Sequence, residues 1–118
     1  MKQYNFAKGR FNETIAKEYL IKNGFCFLES NFEIDCGEID LIMSKNDCLV
    51  FVEVKYKSND LMGKPEEMIG KRKIYQIRRV AEIYLLKNPL IKSIYRKYRI
   101  DAVCILGNDI KHYENIYV

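Results

Sequence analysis

The sequence predicts an α/β fold, a mixed β-sheet with flanking helices in the order α-β-β-β-α-β-β. Three observations carry this reading. Residues 6–23 and 66–87 repeat apolar side chains at the 3.6-residue helical period. Short β-branched and aromatic runs lie between and after them, bounded by Gly, Asn and Asp. Helices interleaved with strands in this way cover the faces of a sheet rather than forming a bundle.

The first helix, 6–23, carries Phe11, Ile15, Tyr19 and Leu20 as its apolar stripe and stops at Gly24. Residues 25–29 form a short aromatic strand, followed by a polar connection. Gly37 opens a second strand over 38–43, and Ser44-Lys45-Asn46-Asp47 is rich in turn formers. The strongest strand signal follows at 48–55, Cys-Leu-Val-Phe-Val-Glu-Val-Lys. A loop over 58–65 leads into the long helix 66–87, whose Ile69, Ile74, Ile77, Val80, Ala81, Tyr84 and Leu85 share one side. Asn88-Pro89 ends it. Residues 90–97 fit neither pattern, 98–106 is a strand, Gly107-Asn108-Asp109 a tight turn, and 110–118 a closing strand.

A chain of 118 residues is one domain's worth, spanning 1–118 without repeat or linker. No run approaches the roughly 20 apolar residues of a membrane span. No apolar signal-like run follows the first residues, so the expected location is the cytoplasm, with no membrane partner. The cysteines at 26, 36, 48 and 104 make no CxxC pair, and His112 is the single histidine. That argues against a structural zinc site and against Ser-His-Asp or Cys-His catalysis. Three of the cysteines sit among apolar or aromatic residues, as reduced, buried thiols do. Net charge is +4, but unevenly spread: residues 55–99 carry thirteen Lys/Arg against four Asp/Glu, and the rest of the chain is acidic. A basic half beside an acidic one suits a polyanion held against metal-binding carboxylates, although a solvated helix face has the same composition.

Strand alternation places Glu53 and Lys55 on one face with Leu49 and Phe51, and Glu38, Asp40 and Ile42 on one face of the preceding strand. If residues 44 and 49 flank a four-residue loop, 40 stands opposite 53 and both carboxylates project to the same side. A slip of one residue would part them. Two carboxylates and an ammonium on one sheet face are unfavourable if simply buried, but they suit a divalent cation, Mg²⁺ or Mn²⁺, and the phosphate it binds. The alternative is a half-exposed hairpin with ordinary cross-strand ion pairs.

The run Gly37-Glu38-Ile39-Asp40-Leu41-Ile42, followed by Val50-Phe51-Val52-Glu53-Val54-Lys55, resembles the core signature of the YraN-like family of bacterial proteins. That family is assigned to the restriction-endonuclease-like PD-(D/E)xK superfamily and is similar to Holliday-junction resolvases. Gly9, Glu13, Ala16, Tyr19-Leu20, Gly24 and Asn31 fit the same pattern, as do Lys73, Ala81, Tyr84-Leu85 and Arg99-Ile100-Asp101. The resemblance therefore covers nearly the whole chain. It implies Asp40 and Glu53 as metal ligands, Lys55 as the catalytic lysine and Glu13 near the metal, with a solvated helix carboxylate as the alternative for Glu13. Glu38 and Gln76 stand behind these as supporting residues, with a purely structural role as the alternative for Glu38. Lys57 occupies a position where the family commonly has arginine, and Ile39 one where the superfamily's name has proline. Asp101 is better suited to ordering Arg99 or a turn than to binding metal.

The implied function is Mg²⁺-dependent (or Mn²⁺-dependent) endonucleolytic hydrolysis of DNA, branched or recombination intermediates among its substrates. Phosphate contacts would come from Lys57, Lys71, Arg72, Lys73, Arg78 and Arg79. Two readings stand beside it: a nucleic-acid-binding module of the same fold that does not cleave, and a protein-interaction subunit of a recombination or DNA-uptake machine. Monomer and homodimer are both open.

Overall fold

A computed structural model describes residues 2–57 and 69–116, with side chains from residue 9 onward. Its elements are α1 (Lys2–Lys22), β1 (Cys26–Ile34), β2 (Gly37–Lys45), β3 (Cys48–Lys57), α2 (Lys71–Lys87), α3 (Pro89–Ile94), β4 (Lys97–Leu106) and β5 (Asp109–Tyr113). The order is the expected one, with the short α3 added from Pro89 into the 90–97 stretch that fitted neither pattern. Pro89 sits in its first turn, where a missing N–H costs nothing. The loop expected at 58–65, the beginning of the second helix at 66–68 and the last two residues lie outside the described residues.

The five strands form one mixed sheet in the order β1-β2-β3-β4-β5. The pairs β1/β2, β2/β3 and β4/β5 are antiparallel, and β3/β4 is parallel. A parallel pair needs a crossover, and α2 with α3 supplies it. β3 lies at the centre and is covered on both faces, which explains its nearly continuous apolar run. Leu49 and Phe51 face α2, packing with Ile77, Val80, Ala81 and Tyr84. Val50 and Val52 face α1, packing with Ala16 and Leu20.

Several local expectations are corrected. The buried stripe of α1 is Asn12, Ala16 and Leu20, flanked by partly buried Ile15 and Tyr19, while Phe11 is 66% exposed. α1 does end at Gly24: at φ 92° it permits the paired closing bonds Phe25 N–H to Leu20 O and Gly24 N–H to Ile21 O. β1 runs on to Ile34, because its polar residues stay paired to β2 through Ile34↔Gly37 on an exposed edge. α2 starts at Lys71, since Gly70 is extended (φ −80°, ψ 170°) and Ile69 packs instead on Ala102 and Cys104. β5 stops at Tyr113, beyond which Asn115 and Ile116 bond back to β4. No disulfide joins the cysteines; Cys104 alone is fully buried, whereas Cys26 and Cys36 are exposed. No helix among the described residues is long and apolar enough to cross a membrane.

Candidate functional site

The β2–β3 hairpin has the register that the site requires, but not its regularity. Ser44 opposes Leu49 as expected, and Lys45 also pairs with Cys48, leaving Asn46-Asp47 as a two-residue turn with Asn46 at φ 57°. The ladder then stops at Leu41↔Val52, one pair short of Asp40. Beyond it, Asp40 Oδ2 accepts the backbone N–H of Val54 at 2.8 Å. A side chain thus occupies the place of a backbone carbonyl, and Asp40 stands in the fork between parting strands rather than opposite Glu53.

Alternation along β2 breaks at the same point. Ile39 packs with Ile42 on the α2 face, whereas Leu41 packs on the α1 face. The expected grouping of Glu38, Asp40 and Ile42 on one face is therefore corrected. With Ile39 turned toward α2, Glu38 is carried to the α1 side, where Glu13 approaches from the helix. One carboxylate oxygen from each of Glu13, Glu38 and Asp40 lies within 4.8 Å of the others. Glu53 adjoins this group through a hydrogen bond with Asp40. Its side chain is 7% exposed, and Oε2, with no hydrogen-bond partner among the described residues, faces Lys73 Nζ at 3.6 Å.

Such crowding of acids has an electrostatic consequence. Burial first, then the bond and charge of Asp40, push the Glu53 carboxyl up to about 9, with Lys73 and Lys55 pulling the other way. Burial and Asp40 push Glu13 up to about 7 against a hydrogen bond from Asn31. Burial and Asp40, with a bond to Glu33, push Glu38 to about 7 as well. Carboxylates grouped in this way are oxygen donors that could hold a divalent cation, which would bind their deprotonated forms.

The structure brings Glu13, Glu38, Asp40 and Glu53 together, with Lys55 half-buried and close enough to Glu53 to act on it. Lys57, two residues on, is half-buried at the end of β3. Gln76 stands apart: its Nε2 donates to Cys36 O at 2.6 Å and holds the β1–β2 turn. A Cβ on Gly37 would come within 3.0 Å of that amide, so the glycine before Glu38 makes room for the brace. On α2 the basic residues divide. Lys73 faces Glu53; Arg78 pairs with Glu82 at 3.0 Å; Lys71, Arg72 and Arg79 are exposed. Arg72 and Arg79 flank Tyr75, 58% exposed, on one stripe. Two residues of the site's frame, the Val54 amide and the Glu13 partner Asn31 (φ 55°), match the family pattern, but nothing in their residue types assigns them these roles.

A second charged group lies on β4 and β5. Fully buried Asp101 receives Arg99 Nε at 2.9 Å and the Asn115 amide at 2.8 Å, and His112 Nε2 lies 2.8 Å from it. Asp101 orders Arg99 and the terminal turn, as its residue type suggested.

Residues 12–105 match the model of the uncharacterised protein family UPF0102. The chain is 41% identical over 110 residues to a UPF0102 protein of Vibrio campbellii, covering 91% of this chain and 88% of that protein. It is 39% identical over 114 residues to a UPF0102 protein of Persephonella marina, covering 97% and 96%. A UPF0102 protein of Clostridium tetani is 37% identical over 109 residues, covering 92% and 87%.

Proposed function

The chain belongs to the UPF0102 family, and on that premise we propose that it is a divalent-cation-dependent phosphodiesterase acting on nucleic acid, with DNA as its substrate class. The observation that carries this is the group at the fork. Three carboxylates lie within 4.8 Å of one another, and a fourth, buried beside Asp40, has an oxygen without a hydrogen-bond partner among the described residues. A protein gains no stability from such a grouping, because buried like charges repel and each lost hydrogen bond is unfavourable. Hard oxygen donors of this kind fit Mg²⁺ or Mn²⁺.

Asp40 would hold the cation together with Glu13, Glu38 or Glu53, and the ion would supply charge neutralisation at the phosphate and acidify a water. The chain's own groups do the rest. The Val54 amide fixes the orientation of Asp40. Lys73 keeps Glu53 from rising further in pKa and so keeps it available as a donor. Lys55 brings an ammonium to the same end of β3, where it orients the attacking water or stabilises charge developing on the phosphoryl oxygens. The exposed Lys71, Arg72 and Arg79 of α2 add sequence-independent phosphate contacts.

The test is cleavage of junction, flap, single-stranded and duplex DNA, and of RNA, with Mg²⁺ or Mn²⁺ and with chelator. Cation-dependent cleavage of at least one DNA form, absent with chelator, is the expected result. Cation-independent nucleic-acid binding with no cleavage of any form would overturn the enzyme and leave a binding module.

A further inference from the structure

We propose that the pocket between α1 and the β1–β2 pair is a subsite for a backbone phosphate adjacent to the one that reacts. This rests on the reading of the fork as a phosphodiester site. The pocket is lined by Arg10, Glu13, Thr14, Lys17, Ser30 and Asn31, with Leu41 also on its wall. Arg10 and Lys17 stand three residues before and four after Glu13, so all three share one side of α1.

The strand contributes unusually. Neighbouring residues of a regular strand point to opposite faces, yet Ser30 and Asn31 both line this pocket. The β1–β2 register shifts between Phe27 and Glu29, and Asn31 is left-handed at φ 55°. Together these two irregularities add a hydroxyl and an amide to two cationic side chains. Lys17 Nζ also lies 4.6 Å from the Phe27 ring centroid, which braces the lysine at the pocket's edge.

Its place in the fold identifies the occupant. Glu13 belongs both to the pocket wall and to the carboxylate group. An anion in the pocket is therefore next door to a cation at the fork. A nucleic-acid strand presents a negative charge at every nucleotide, so one phosphate can lie over the carboxylates while its neighbour enters the pocket. Arg10 and Lys17 then grip the strand from the α1 layer, while Lys71, Arg72 and Arg79 serve the α2 layer on the other side of the sheet. A strand held on both sides of the fork has a fixed direction across it, which a single basic helix would not impose.

The experiment compares Arg10→Glu/Lys17→Glu with Lys87→Glu/Lys92→Glu, an equal charge change on exposed residues of α2 and α3. The probe is labelled oligothymidylate of about 20 nucleotides, titrated across a range of salt, with folding checked by circular dichroism. The pocket variant is expected to lose at least about tenfold in affinity at low salt, and its salt dependence to become shallower by about 0.7 for the one lost phosphate on a single strand. Arg10→Gln/Lys17→Gln should show the same shallower slope with a smaller loss. Mn²⁺ affinity of that neutral variant should not fall below that of wild type, since the two charges it removes repel the metal. Wild-type slope in the pocket variants, or an equal loss in the Lys87/Lys92 control, would overturn the subsite. Absence of Mn²⁺ binding in the wild type would instead strike the cation site at the fork, so the two failures are distinguishable.

Discussion

The carboxylate of Asp40 takes the backbone N–H of Val54 in a 2.8 Å hydrogen bond, where a continued β2–β3 ladder would have offered a carbonyl. The bond does two things together. It satisfies a donor exposed by the parting strands, and it orients an acid that interacts with Glu13, Glu38 and Glu53 alike. Structure and site are joined through a single side chain, and substitutions there separate the two roles.

Asp40→Asn keeps an oxygen for the Val54 amide while removing a negative charge from a crowded group. Asp40→Ala removes both. In chelator at pH 7, Asp40→Asn is expected to be at least as stable as wild type. Asp40→Ala should be about 1–3 kcal/mol less stable than Asp40→Asn, the usual penalty for an unsatisfied buried donor. Urea denaturation of the three proteins measures this directly. Equal stability of the two variants would mean that water replaces Asp40 at no loss.

The pH dependence of the metal-free protein follows from the raised acids. A carboxyl whose folded pKa lies above its unfolded value stabilises the fold below the unfolded value, and that contribution is lost as pH rises through the folded one. For Glu13 and Glu38 the window runs from 4.5 to about 7, and for Glu53 from 4.5 to about 9. Thermal stability in chelator should therefore fall steadily from mildly acidic to mildly alkaline pH. Saturating Mn²⁺ should flatten or reverse the trend, since the cation binds the deprotonated acids. A metal-free protein that grows more stable between pH 5 and 8 would contradict this arrangement of charges.

Asp101 provides the contrasting case. Burial works to raise its pKa, but bonds from His112, the Asn115 amide and Arg99 outweigh it and hold the carboxyl below its ordinary value. Its contribution is therefore present at neutral pH and lost as pH falls below about 3.8, on the acid limb. Asp101→Asn breaks a buried charged pair and should cost on the order of 3–5 kcal/mol. It should also lessen the loss of stability on acidification, and leave Mn²⁺ affinity within about twofold of wild type. A large loss of Mn²⁺ affinity in folded Asp101→Asn would show that this network supports the fork as well as the terminus.

How much of this was legible in the sequence depends on how local the cause is. β3 announced itself because a strand covered on both faces must be apolar throughout, and Leu49, Phe51, Val50 and Val52 are. The hairpin register was legible because the turn formers at 44–47 confine it. The fork was not, because nothing in Asp40 itself says whether its carboxylate faces a neighbour or caps an amide. The parity break at Ile39 was equally hidden, since it depends on the packing of α2 against β2. For that reason Glu38 was expected only as a supporting residue, whereas one of its carboxylate oxygens lies within 4.8 Å of those of Asp40 and Glu13. Phe11 misled for a simpler reason: an apolar residue at the right period on a helix can still face outward when the helix rests on small Ala16.

Lys55 is the residue at which the proposed chemistry can be parted from binding. It sits half-buried on the central strand and exerts its charge on Glu53, while the exposed cations Lys71, Arg72 and Arg79 belong to α2. Lys55→Ala should therefore abolish detectable cleavage, a loss on the order of 10²–10⁴ in rate, and leave oligonucleotide affinity within a few-fold of wild type. Asp40→Asn should lose cleavage too, but through the cation, so a higher Mn²⁺ concentration should recover part of its activity and none of that of Lys55→Ala. Single-turnover cleavage alongside anisotropy binding reads both quantities on one preparation. Arg72→Glu/Arg79→Glu supplies the converse, with binding weakened across all sequences, a shallower salt dependence, and near-normal single-turnover rate at saturating enzyme. If Lys55→Ala cleaves as wild type does while Asp40→Asn does not, the lysine at the end of β3 serves charge balance around Glu53. The group that orients the water must then be sought among the remaining acids of the fork.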